Sequence, residues 1–432
     1  MRDPWIYRWN RRDWGAREAR VRKFDLVVVG AGIGGGSLVY NLLKQGFTGS
    51  ILVVDRGETV ASGASAFSAG GFRNLWTTSI NQQLCTRSMD ILGRFKEDMG
   101  MAIGFQQTGY LFTYYAAAWA QVPLAAEIWK ANRVNFDLLS PEQVEAVVPG
   151  LRCSVDAVDP EVRELLGLEA IAGGVFGRDC GSFDPSQAAV GYFERALTDF
   201  TARPVLQLNT EVEALTFDAA GRATGVTLLS ARVAEQVEAG MVALCSGPWT
   251  NQLLDRSGCP AEDRMPITPQ KRMLFMTDFP DQDPRWATIP LTIIDQGIYF
   301  KCESGSLMIG KAREDTPSAL DTTFEPDYYV EEINLVMQER MPATATCKLK
   351  RGWAHMYDTN SADHNAILGW HENHPGLLLQ VGYSGHGAME SPAVGECLAE
   401  LILTGRYQTV DCAPLRWSRF REGDLVRETI VI

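Results

Sequence analysis

Several things are scarce in this chain of 432 residues, and each scarcity removes a class of protein. No run of about 18 uncharged apolar residues occurs, so no membrane-spanning helix is expected. Positive charge is in deficit. Forty Lys and Arg against 53 Asp and Glu leave a formal net charge of -13, which argues against nucleic acid as a partner, because a polyphosphate needs a cationic face. The nine cysteines are odd in number and include no C-x-x-C pair, so neither a disulfide framework nor a structural zinc site is expected. A reducing cytoplasm is the compartment they suggest. Histidine is rarer still: His355, His364, His371, His374 and His386 are all of it, with no H-E-x-x-H spacing, and no metal site is expected. What remains, 46% hydrophobic and 22% charged, is the composition of a folded soluble protein long enough for two or three domains.

The charge is uneven. Residues 1–23 carry eight Lys and Arg against three acids, interleaved with Trp5, Tyr7, Trp9 and Trp14, so this arm is +5 and the rest of the chain is -18. It has no apolar core or small-residue cleavage site and does not read as a secretory signal. A surface-packed arm and a docking segment for an acidic partner or a membrane surface are both open.

The first structured segment, Phe24-Asp25-Leu26-Val27-Val28-Val29, is an apolar β-branched run suited to a strand buried on both faces. Gly30-Ala31-Gly32-Ile33-Gly34-Gly35 follows, then Ser37 to Leu43 with helical apolar spacing. This is G-x-G-x-x-G in its required setting. Gly30 makes the tight turn, Gly32 admits a pyrophosphate, Gly35 lets helix and strand pack closely, and the helix N-terminus from Ile33 onward receives the phosphates. A second apolar run, Ile51 to Val54, ends in Asp55, whose carboxylate would accept from ribose hydroxyls and repel a 2′-phosphate. NADP is thereby disfavoured, while NAD and FAD both stay open. The stretch Ala61 to Arg73 is dense in small residues, as a backbone lying against a flat ligand requires. Near the C-terminus, Leu377 to Val381 reads as a buried strand, Gly382 to Gly387 as a turn and Ala388 to Thr404 as a helix. That helix's positive end could stabilise negative charge on a bound cofactor.

From Phe24 onward the chain resembles the D-amino-acid oxidase superfamily of FAD-dependent amine oxidoreductases, in the branch of sarcosine oxidase and dimethylglycine dehydrogenase. The resemblance is carried by the glycine turn with Asp55, the Gly63–Arg73 loop and Gly174-Val175-Phe176 leading to Asp184-Pro185. Further blocks are Val242 to Trp249, Pro266 to Arg272, Leu307 to Gly310, Trp353 to Gly369 and Gly382 to Gly387. The Trp353–Asn365 stretch looks closest to a sub-branch that includes a mitochondrial assembly factor of respiratory complex I.

The resemblance implies an α/β fold. A Rossmann-type FAD domain at 24–103, 168–262 and 358–432 would be interleaved with a substrate domain, built on a mixed or antiparallel sheet, at 104–167 and 263–357. Cofactor contacts would come from Gly30, Gly32, Ile33, Gly35, Asp55, Arg56, Ser62, Ser65, Ala69, Gly70, Gly71 and Val212. Ser246, Gly247, Trp249, Gly385, His386, Gly387, Ala388 and Met389 would complete them.

By motif position, Arg73 matches the arginine that grips the substrate carboxylate, and Tyr357 and Tyr299 match pocket tyrosines. Met308 stands where monomeric sarcosine oxidases carry the lysine that promotes reaction with oxygen, so a dehydrogenase is favoured over an oxidase; Lys271 and Lys311 are candidates to replace that charge. Met389 replaces a second carboxylate-binding lysine, and His355 stands at the position of the flavin-linking cysteine, so the FAD is expected to be non-covalent. The expected activity is oxidation of a secondary or N-methylated amine, an amino-acid derivative, by hydride transfer to flavin N5, with a quinone or an electron-transfer protein as acceptor. Oxidation of a 2-hydroxy acid or D-amino acid, and a flavoprotein with a mainly assembly or docking role, are the alternatives. His364, His371 and His374, in a polar stretch, are expected to face solvent.

Overall fold

Leu26, Val27, Val28 and Val29 follow one another without a polar interruption, and all four are buried in the strand Arg22–Val29 at the centre of a largely parallel sheet. The computed structural model describes residues 21–278, 284–313 and 319–428. Nearly all of the basic arm therefore lies outside the described residues; its last two members, Arg22 and Lys23, open the first strand and pair with Glu235 and Glu238.

Across the first sheet the order is Ile367–Trp370, Leu377–Val381, Val233–Leu244, Arg22–Val29, Ile51–Val54 and Val205–Gln207. The last five of these run parallel, as crossover helices require. The meander read from the sequence is present as Glu211–Phe217, Ala223–Ser230 and Val233–Leu244, joined antiparallel. Its third strand starts seven residues before Gly240, because Val233 to Gln236 are all exposed and carry no apolar periodicity. The helices Ile33–Lys44 and Gly387–Thr404 pack on each other over this sheet through Leu38, Leu42, Val394 and Leu398.

The second sheet has the order Leu349–Asn360, Ile267–Thr277, Ser306–Ala312, Tyr299–Glu303, Leu291–Ile293, Tyr110–Tyr115, Ile171–Gly177 and Phe136–Leu139. It is mixed: Leu291–Ile293 runs parallel to Tyr110–Tyr115 and every other pair is antiparallel. One strand differs from the sequence-based division. Ile171–Gly177, expected with the nucleotide domain, is hydrogen-bonded between two strands of the second sheet. Its glycines at 173 and 174 leave room for Trp119 and Val144 of that layer. Two fully buried ion pairs brace the molecule, Arg340 with Asp295 behind the second sheet and Arg419 with Asp363 beside the Asn360–Asn365 turn.

Candidate active site

A cavity of about 510 Å³ opens at the C-terminal ends of the parallel strands, where ligands of open α/β sheets bind. Val29, Val54, Cys245 and Gln380, each at or next to a strand end, form its floor. Gly30 has a φ of +117°, and a Cβ there would sit 2.3 Å from the Cys245 carbonyl oxygen, so the turn accepts only glycine. Asp55 accepts from the backbone N–H of Ala31 and of Gly57, both at 2.7 Å, one on each carboxylate oxygen. It thus ties the glycine turn to the next loop while lining the cavity. Ser65 accepts from Ile33 N–H at 3.0 Å and fixes the small-residue loop over the helix N-terminus. The Arg56 guanidinium lies 3.7 Å above the Trp249 ring on the far wall.

Gly387 begins an 18-residue helix whose first turn contributes Gly387 and Ala388 to the wall. The preceding turn is held from the second sheet: Asp358 accepts from Gly382 N–H at 2.7 Å, and Ser384 accepts from Asn360 N–H at 2.9 Å. Burial raises the Asp358 carboxyl to about 6. Gln380 Nε2 and the Tyr383 hydroxyl are buried beside this cavity, near each other and with no well-aligned hydrogen bond among the described residues. Buried polar atoms are rarely left so, and a ligand rich in acceptors would satisfy both. The cradle fits a dinucleotide.

A second chamber, about 60 Å³, adjoins the first through Ser68, Tyr357, Gly385 and Ala388 and has room for roughly four water-sized groups. Arg73, Arg272, Tyr110, Tyr299, Tyr357 and Met389 are among its walls. Arg73 is only 1% exposed; its guanidinium lies 3.5 Å over Trp76, and it donates to the Leu75 carbonyl at 3.0 Å. Gly385, at φ +91°, lies against the Tyr357 ring, where a Cβ would approach to 2.4 Å. Burial pushes the phenols of Tyr110, Tyr299 and Tyr357 upward and His386 well below its usual value, so all four are neutral at physiological pH. Among the described residues, the two guanidiniums are the only charged side chains lining the chamber.

The expected contacts divide between these spaces. Gly30, Gly32, Ile33, Asp55, Arg56, Ser62, Ser65, Val212, Ser246, Gly247, Trp249, Gly385, Gly387 and Ala388 line the larger cavity. Ala69, Gly70, Gly71, His386 and Met389 line only the chamber, with Arg73 and Tyr299, and Tyr357 lines both. Gly35 lines neither; a Cβ on it would meet the Gly30 carbonyl oxygen at 2.1 Å, so its part is helix-to-strand packing. Met308 also lines neither and is buried against Leu274 and Met276. Lys271 and Lys311 do not replace its missing charge. Strand alternation turns both to the opposite face, where Lys271 is bound by Asp321 and Glu325 and Lys311 by Glu332.

The histidine expectation needs correction. His364 is exposed, but His371 and His374 are buried, the first stacked on Trp417 with ring centroids 4.4 Å apart. Ligand atoms of Asp263, His371 and His374 lie within 4.8 Å of one another. His374 already uses both ring nitrogens, on the Gly221 carbonyl at 3.0 Å and on Asp263 at 2.9 Å, so the group is a hydrogen-bonded brace. Sequence reasoning overlooked Arg272, Tyr110, Asp358, Gln380 and Tyr383. Gln380 had a signal, being the one polar residue in Leu377–Val381; Tyr110 and Arg272 had none, since their facing depends on the register of the second sheet.

Comparison with known proteins agrees with this geometry. The chain is 27% identical over 442 residues to FAD-dependent oxidoreductase domain-containing protein 1 of Xenopus laevis, covering 94% of this chain and 85% of that protein. It is 25% identical over 400 residues to monomeric sarcosine oxidase of Bacillus sp., covering 89% and 93%. The crystal structure of L-proline dehydrogenase from P. horikoshii superposes with a TM-score of 0.79 at 24% identity, over 94% of this chain and 100% of that one, and shares the fold. The family model for FAD dependent oxidoreductases matches residues 25–401, and the chain belongs to that family, with FAD as its cofactor.

Proposed function

We propose that the protein oxidises a small secondary or N-methylated amino acid, with the amine beside the flavin and the carboxylate among the chamber guanidiniums. The observation that carries this reading is a chamber whose charged walls, among the described residues, are Arg73 and Arg272, set among neutral phenols. Such a field attracts a carboxylate and disfavours an ammonium, and the neutral amine is the form that can be oxidised. Bound FAD supplies hydride acceptance. The chain's own residues then orient and enclose: Tyr357, Tyr299 and Tyr110 wall the substrate in, and the chamber's size limits it to a few heavy atoms beyond the amine.

FAD is held without a covalent link. His355, at the position where relatives carry a linking cysteine, stacks on Phe67 with ring centroids 5.0 Å apart, and burial keeps it neutral. With Met308 in place of a lysine, the electron acceptor is a quinone or an electron-transfer protein in preference to oxygen. The nine unpaired thiols support a reducing compartment, the cytoplasm.

The test is an anaerobic screen of the yellow protein with N-methyl amino acids, proline, D-amino acids and 2-hydroxy acids, followed by air. Bleaching of the flavin band by an N-methyl or secondary amino acid and slow return of colour in air are expected. Bleaching only by 2-hydroxy acids, or by no candidate, overturns the amine reading; return of colour within seconds overturns the dehydrogenase assignment.

A further inference from the structure

Arg73 and Arg272 reach the chamber from different layers and in different states. Arg73 is 1% exposed, stacked on Trp76 and engaged with the Leu75 carbonyl. Arg272 extends from the strand Ile267–Thr277 of the second sheet and is half-buried. Its guanidinium donates to Gln270 Oε1 at 2.9 Å and to the Lys271 carbonyl at 3.0 Å. Those bonds leave most of its five N–H donors for another acceptor. No carboxylate lies within ion-pair distance of it among the described residues, although Lys271 beside it is held by two. The guanidinium carbon sits 5.1 Å from the centre of the Tyr357 ring, and Tyr357 spans both the cofactor cavity and the chamber. A planar, half-buried cation with no carboxylate partner among the described residues, lining a small chamber, is suited to a planar anion.

We propose that Arg272 is the group that grips the substrate carboxylate directly, while Arg73, in the same lining but stacked on Trp76 and bonded to the Leu75 carbonyl, contributes charge. This rests on the chamber being the substrate site, as in the amine reading above, and it narrows the substrate to amino-acid derivatives with a free carboxylate. Amides, esters and decarboxylated amines of the same skeleton are excluded by the fork they leave unpaired.

Acetate is small enough for the chamber and tests this without turnover. The FAD-loaded protein is titrated with acetate, following the visible flavin band, alongside Arg272→Met, Arg272→Lys and Arg73→Met, with acetamide as the uncharged control. The parent should give a saturable spectral change with acetate and none with acetamide. Arg272→Met should bind acetate at least tenfold more weakly and Arg272→Lys should recover part of the loss, with flavin content unchanged. If Arg272→Met does not fold, Arg272→Lys and Arg272→Gln carry the comparison. The proposal is overturned by acetate affinity within twofold of the parent in the Arg272 variants, by the absence of a saturable response in the parent, or by loss confined to Arg73→Met. None of these outcomes touches amine oxidation itself, which stands or falls on flavin bleaching.

Discussion

The two faces of the second sheet treat charge in opposite ways. On the face turned away from the cofactor cavity, Lys271, Lys311 and the neighbouring Arg340 all end on carboxylates, those of Asp321 and Glu325, Glu332 and Asp295. Burial alone would lower Lys271, but its two carboxylates more than offset that and leave it raised. On the cavity face, Arg272 meets no acid among the described residues, and its row continues into Leu274, Met276, Tyr299 and Met308. Lys301, opposite Met308, is neutralised by Glu303 nearer the sheet end. Paired charges brace the closed face, while Arg272 lines the chamber with no carboxylate partner among the described residues.

That contrast can be broken at four points. Asp295→Asn on the closed face leaves the Arg340 guanidinium buried without its charge partner, and should cost about 3–5 kcal/mol in urea unfolding while FAD affinity stays unchanged. A change in FAD affinity there would mean the faces are not independent.

Glu390, in the first turn of the helix Gly387–Thr404, is fully buried, and burial raises its carboxyl to about 8, with Arg73 pulling the other way. The folded state keeps a proton that the unfolded chain releases near pH 4.5, so stability is present below that pH and is lost as pH rises toward 8, by up to roughly 4 kcal/mol. Glu390→Gln should flatten this slope in denaturation curves taken between pH 5 and 9.

Arg73→Met keeps most of the side-chain volume and removes the charge. Substrate KM should rise about tenfold with FAD still bound, and unchanged kinetics would remove Arg73 from the site. The smallest effect belongs to Lys271→Met, one residue from Arg272 but on the other face: KM should stay within about twofold, with only a modest fall in melting temperature.

Most residues that the sequence suggests for the cofactor line the larger cavity. Gly30, Gly32, Asp55 and Ser65 lie within 36 residues, and their geometry is set by local turns and one strand–helix unit. The loop from Ser62 to Gly71 and the turn from Gly382 to Gly387 were legible for the same reason, although the first of them divides its residues between two cavities. His371 and His374 were misread because their setting looked polar. What buries them is remote in sequence: Asp263, Gly221 and Trp417. Arg272 carries no local signal, and Lys271 and Lys311, near Met308 in sequence, are set apart from it only by strand register.

By itself the sequence determined the strand, glycine turn and helix that hold a dinucleotide, because hydrogen bonds and helix dipoles of that kind arise between near neighbours. Only the tertiary structure decided which cations face the chamber. A strand turns successive side chains to opposite faces, so whether Arg272 or Lys271 meets the chamber depends on which side of the sheet the rest of the chain covers with acids.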